Sequence, residues 1–341
     1  MQSSNGGLVH RETRSGRRPQ PAVAIVIGVV ILQALLVAFF AWPALRLAPR
    51  DLPVVVAGPA PAVAAVQTRL ETLRPGGFSV TAVSDERAAD QALRDRDAYA
   101  AFLPSADGTM RVHVASAASP TVATLLTQQL GGSGVQVVDV VPVDAGDPRG
   151  GGLASAFLPM LLTALIAAAL LWFAVPSKVG RLLGVVAFAV LAGLAEAAIL
   201  QYGYEILPGS YLANVGVLAL IAAAITGGVL GLAALLGRAG VALGVLVVFL
   251  VGNPLSAINA APELLPQPWG AVGQFLPPGA GATLLRSVAY FDGAGGTAAG
   301  WTLAAWAAAG LALIALARRP RPAATDTPAP AAPDREPIPA A

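Results

Sequence analysis

The chain has no cysteine. Disulfides and thiolate metal sites are excluded, so a folded unit outside a membrane has to be held by its own core. Charge is scarce. Asp, Glu, Lys and Arg make up 12% of 341 residues, against roughly 25% in an ordinary soluble domain. Lysine occurs once, as Lys178 after Pro176-Ser177. It cannot complete a GxxxxGK(S/T) loop, whose backbone amides and lysine hold nucleotide phosphates. Any ATP-driven step would have to come from another chain. The net charge is only +2, with no basic patch interleaved with aromatics, which excludes a nucleic-acid surface. No catalytic, cofactor or metal constellation is expected.

What is abundant is apolar sequence. Apolar residues make up 56% of the chain and the mean hydropathy is +0.69. The excess of Ala, Arg, Gly and Pro fits a GC-rich bacterial genome. One long apolar run stands alone at 22–42, and five more follow between 154 and 317. Each is near the ~20 residues a helix needs to cross ~30 Å of hydrocarbon. The first run exceeds the ~7–15 residues of a signal core and no small-x-small cleavage site follows Phe39-Phe40-Ala41-Trp42, so a retained helix is expected, with Trp42 at the outer interface.

The expected fold class is an α-helical polytopic membrane protein of six transmembrane helices, one plus five, with a small α/β extracytoplasmic domain inserted. The divisions are a basic cytoplasmic segment at 1–21, the first helix at 22–43 and the α/β domain at 44–152. A five-helix membrane domain at 153–317 contains a proline-broken external segment at 252–299, and a disordered cytoplasmic tail occupies 318–341. Basic residues alternate between loops. Arg11, Arg14, Arg17 and Arg18 precede the first helix, Lys178 and Arg181 follow the second, Arg238 the fourth, and Arg318, Arg319 and Arg321 the sixth. That register puts both termini in the cytoplasm, in the plasma (inner) membrane. Arg46 and Arg50 oppose it, but they open a long translocated domain, which largely escapes the rule.

In the α/β domain, strands are expected at 53–57, 78–83, 99–103, 110–114 and 135–141, with helices at 62–73, about 86–93 and 121–130. Ser84 or Asp85 is the N-cap of the second of these helices. His113 alternates with Arg111 on a strand and has no second histidine or carboxylate at ligand spacing, so a solvent-facing role is expected. Asp85, Glu86, Asp90, Asp95 and Asp107 read as a solvated face. Gly131-Gly132-Ser133-Gly134 matches the GxSG of intramembrane serine proteases, but it lies in a loop with no histidine partner in any transmembrane helix, and is read as a turn.

In the membrane domain, Gly180/Gly184, Gly227/Gly231 and Gly240/Gly244 have the four-residue spacing that lets helices approach closely. Glu196, in Leu194-Ala195-Glu196-Ala197-Ala198, is the clear ionisable group inside an apolar run. Such a group is a substrate or proton contact, or a carboxylate near enough to the headgroups to reach water; the second is favoured. The most unusual stretch holds Asn253-Pro254, then Pro262-Glu263-Leu264-Leu265-Pro266-Gln267-Pro268, then Pro277-Pro278. Six prolines forbid one continuous helix. Short external or re-entrant helices are expected, then an amphipathic helix at 282–291 carrying Arg286. Candidate transport-path or gate residues are Glu196, Asn253, Pro254, Glu263, Pro277, Pro278 and Arg286; a loop that merely closes the bundle is the alternative.

The layout, with Asn253-Pro254, Pro262-Glu263-Leu264-Leu265-Pro266 and Leu276-Pro277-Pro278-Gly279-Ala280 ahead of Leu285-Arg286, resembles the permease subunit of type-2 ABC exporters, in the branch similar to phage-infection-protein membrane proteins. The resemblance implies a homodimeric or paired permease driven by a separate cytoplasmic ABC ATPase, moving a hydrophobic or amphipathic substrate. The sparse polar content of the helices supports another reading, a non-transporting scaffold or receptor whose α/β domain binds a cell-envelope protein or ligand.

Overall fold

The computed structural model describes residues 21–105, 109–130 and 135–317. The basic N-terminal segment, the tip of the turn after residue 105, the Gly131-Gly132-Ser133-Gly134 turn and the tail from 318 lie outside the described residues. Helix α1 spans Pro21–Ala44. An α/β unit follows, with β1 (Leu52–Ala57), α2 (Ala60–Leu73), β2 (Phe78–Val83), α3 (Glu86–Arg94), β3 (Ala100–Pro104), β4 (Met110–Val114), α4 (Pro120–Leu130) and β5 (Gln136–Asp139). The strand order is β2-β1-β3-β4-β5. All neighbours are parallel except β3 and β4. The continuous apolar run of β1 is explained by burial on both faces. Val54 and Val56 meet α2 and α4, and Val55 and Ala57 meet α3. Asp85 caps α3, accepting from the Ala88 amide at 2.9 Å.

The unit is not held by its own core alone, as its lack of cysteine led us to expect. Ala261 and Leu264 complete the core on the α2/α4 face, and Phe291 completes the other. All three come from the proline-broken segment. His113 is a second correction. It is 3% exposed, and its Nδ1 lies 2.6 Å from Asp90 Oδ1. Arg111 meets Glu86 beside it, with N–O distances of 2.7 and 2.9 Å. Residues two apart on a strand and four apart on a helix are both spaced at about 6 Å, so the two pairs stack as rungs between β4 and α3.

The remaining helices are α5 (Gly152–Ala174), α6 (Lys178–Ala198), α7 (Tyr211–Leu236), α8 (Arg238–Val245), α9 (Trp269–Gln274), α10 (Pro277–Tyr290) and α11 (Thr297–Leu316). Wider π-helical turns extend α6 through Ile199–Gly203 and α8 through Leu246–Gly252. Among the described residues, five helices are long and apolar enough to cross a membrane: Ala22–Ala44, Gly152–Ala174, Lys178–Gly203, Tyr211–Leu236 and Thr297–Leu316. They mark a multi-pass membrane protein. The expected fifth span is the shorter apolar helix Arg238–Gly252, which rises only roughly 20 Å against the ~30 Å of a hydrocarbon core.

Helix α7 is the hub, packing on α5, α6, α8, α10 and α11. Its glycine pair explains how closely it crosses α11. A Cβ on Gly231 would lie 2.8 Å from the Gly310 Cα, and one on Gly310 would collide with the Gly227 backbone. The small-residue spacing is thus used within the chain, between α7 and α11. At the end of the bundle away from the sheet, Lys178 donates to the Ala315 carbonyl at 3.2 Å. Arg181 donates to Val175 and Trp172 carbonyls at 2.7 and 3.0 Å. These cations cap helix C-termini, where the macrodipole is negative.

Candidate functional site

The proline-broken segment forms a wedge between the bundle and the α/β unit. Pro277 and Pro278 do not merely break the chain. They occupy the first turn of α10, where the missing N–H would be unpaired anyway and the fixed φ suits a helix. Both are buried, with Pro278 against Gly252. From there α10 passes Ile221 of α7 at Gly281 and ends where Tyr290 donates to the Ile206 carbonyl at 3.0 Å. With 14 residues it rises about 21 Å, too little to span.

Three arginines bind the wedge to the sheet. Arg286, 3% exposed, donates to the Ala117 carbonyl at 2.9 Å and to the Ile258 carbonyl. Burial pulls its pKa down to about 10, which leaves it charged at neutral pH. Arg96 donates to the Thr283 carbonyl at 3.1 Å, its guanidinium 5.3 Å from the Phe291 ring centroid. Arg50 donates to Leu264 and Ala48 carbonyls at 2.7 and 3.0 Å, beside the backbone bond from Ala48 to Leu264. Thr121 Oγ1 adds a 2.6 Å bond to the Asn259 carbonyl. Arg96 and Ala257 both hold positive φ, +63° and +53°. Each such residue costs on the order of 1 kcal/mol, which the surrounding contacts have to offset.

A cavity of about 650 Å³ opens beside these contacts, lined by Arg50, Asp51, Arg96, Tyr99, Glu263, Gln274 and Thr283 among others. Gln274 Oε1 accepts from Thr283 Oγ1 at 2.6 Å. Its Nε2 and Glu263 Oε2 are buried without partners. Burial, reinforced by the Glu263 carboxylate, pushes the Tyr99 hydroxyl far above its usual range, so it stays a neutral donor.

A second, apolar groove of about 560 Å³ lies between α5 and α6. Its lining includes Ala156, Pro159, Met160, Leu200, Tyr204 and Glu196. No ion pair or hydrogen bond to the Glu196 carboxylate is found among the described residues.

Of the residues singled out from the sequence, Glu263 and Arg286 come together, both close enough to Tyr99 to act on its charge. Glu196 stands apart in its own groove. Asn253 ends the π-helical stretch of α8 and accepts from Ser256 Oγ at 2.7 Å. Pro254 follows it in the turn, and neither lines the two cavities above. Sequence reasoning missed Arg96, Tyr99, Gln274 and Thr283. Arg96 sits in the charged stretch Arg94-Asp95-Arg96-Asp97, which reads as solvated surface, and its partner lies 187 positions away. Comparison of the chain with protein-family models, curated proteins and solved structures returned no match.

Proposed function

We propose that this chain is the membrane-spanning permease subunit of a type-2 ABC-like exporter, moving a hydrophobic or amphipathic substrate with energy from a separate cytoplasmic ATPase. The observation that carries this reading is the wedge. Helix α10 packs on α7 and is bonded through Arg286 to the α/β unit. Since α7 touches five other helices, a shift imposed at its far end reaches the unit through α10. An ATPase would dock on the short connections Pro176-Ser177 and Gly237, next to Lys178, Arg181 and Arg238. Helix α1 supports pairing of two copies. Its apolar window is 0% buried, and its ring contact is Phe40 on Phe249 of the π-helical stretch, 5.6 Å between centroids. It leaves a face that lipid or a second copy must cover.

One observation favours a scaffold or receptor instead. The buried polar side chains of α7 are Asn214 and Thr226, and its glycines seal it against α11, so among the described residues α7 offers no continuous polar path. In that reading the 650 Å³ cavity and the α/β unit bind an envelope partner. Purification from native membranes in mild detergent separates the two. The permease reading expects a P-loop ATPase in stoichiometric amount. Repeated recovery without one, with an envelope protein on the α/β unit, would sink it.

A further inference from the structure

The groove around Glu196 has a composition that selects its occupant. Its walls are apolar: Ala156, Pro159, Met160, Leu200 and Ile206. Apart from the Tyr204 hydroxyl at its mouth, its side-chain polar groups are acceptors. The Glu196 carboxylate has no cation beside it, and no lysine, arginine or histidine lines the groove. Ser155 and Thr163 line it too, but both hydroxyls donate to carbonyls of their own helix, Ser155 to Gly151 at 3.0 Å and Thr163 to Met160 at 2.9 Å. They therefore present lone pairs. Pro159 lacks the N–H that would otherwise bond the Ser155 carbonyl, so that oxygen also loses its helical donor. Asp147 accepts from the amides of Gly151 and Gly152, at 3.0 and 2.6 Å, so these two donors are already used. Three residues beyond Glu196 the helix widens into its π-helical turn, a distortion frequently found at functional sites.

An unpaired carboxylate in an apolar, donor-poor groove is costly unless a cation or a proton meets it. We infer that this groove binds a hydrophobic cation, an organic ammonium or phosphonium compound whose apolar body lies on Met160, Pro159 and Leu200 while its positive centre meets Glu196, with the Tyr204 ring at the mouth. As a binding site it stands without an ATPase. As a substrate class it rests on the exporter reading above.

The test uses the full chain in lipid nanodiscs and two probes of the same shape and opposite charge, tetraphenylphosphonium and tetraphenylborate. Titration calorimetry should give saturable phosphonium binding and no competition by the borate. Glu196→Gln should weaken phosphonium binding at least tenfold with no loss of melting temperature, and Glu196→Asp should retain most of it. Ala156→Trp, which fills the groove and leaves the carboxylate in place, should also abolish it. Equal binding of the borate would overturn the inference, as would wild-type phosphonium affinity in Glu196→Gln. Binding is read without nucleotide, so failure to find an ATPase would remove the exporter reading and leave this result standing. Phosphonium insensitivity beside a copurifying ATPase would do the reverse.

Discussion

Arg286 and Glu196 are both ionisable groups withdrawn from water, and the fold treats them in opposite ways. Arg286 has two backbone carbonyls from two different parts of the chain and is enclosed by the wedge. Glu196 has an open groove and no partner among the described residues. A buried charge held by carbonyls from two parts of the chain, even with its Nε left unpartnered, fixes the relative position of elements. One left unfilled is maintained for something that arrives from outside.

The largest expected effect breaks the first half of that comparison. Arg286→Met keeps the bulk but orphans the Ala117 and Ile258 carbonyls, and hydrogen bonds to charged groups are worth about 1.5–3 kcal/mol each. It should lower stability by about 3 kcal/mol or more, read as a large fall in melting temperature in detergent. Arg286→Lys, a single point charge unable to bridge both carbonyls, should recover only part of the loss. A smaller effect is expected where no charge is involved. Gly310→Ala places a methyl against the Gly227 backbone, an overpacking that costs roughly 1–3 kcal/mol; the same melting measurement checks it. Asp90→Asn weakens the bond to His113 and should cost about 1 kcal/mol. Cutting the exposed Glu86–Arg111 pair with Glu86→Ala should barely move the melting point, because solvent screens it. Glu196→Gln should not destabilise at all. Its melting temperature should equal or exceed the parent's, since it removes an unpaired charge. A melting loss as large as that of Arg286→Met would mean that Glu196 is structural and the comparison is false.

The α/β unit was legible nearly to the residue because its signals are local. Alternation marked β2 at Phe78–Val83, and Ser84-Asp85 before Glu86 marked the cap of α3, of which the structure uses Asp85. Glu196 was legible for the same reason, as a carboxylate interrupting an apolar run. Contacts across the chain were not. The alternation of Arg111 and His113 says that they share a face of β4, but not that α3 covers that face with Glu86 and Asp90. Phe291 looked like the end of an amphipathic helix, and nothing local shows that it completes the core of a sheet some two hundred residues earlier. The span 241–255 has the composition of a crossing helix; its halt at Gly252 falls just before Asn253-Pro254, a local stop, but its π-helical winding left no mark in the sequence. The Pro277-Pro278 pair misled in a useful way. Read as a break, it is also a helix start.

The claim beneath all of this is that Arg286 locks the α/β unit to the bundle. The absence of native cysteine makes that directly measurable. Spin labels on Arg87→Cys in α3 and Arg238→Cys at the start of α8, both exposed positions, report the distance between the unit and the far end of the bundle by pulsed electron resonance. The account predicts one narrow distance distribution in lipid nanodiscs, broadened when Arg286→Met is added. A broad distribution in the parent chain, or a narrow one that survives Arg286→Met unchanged, would contradict it.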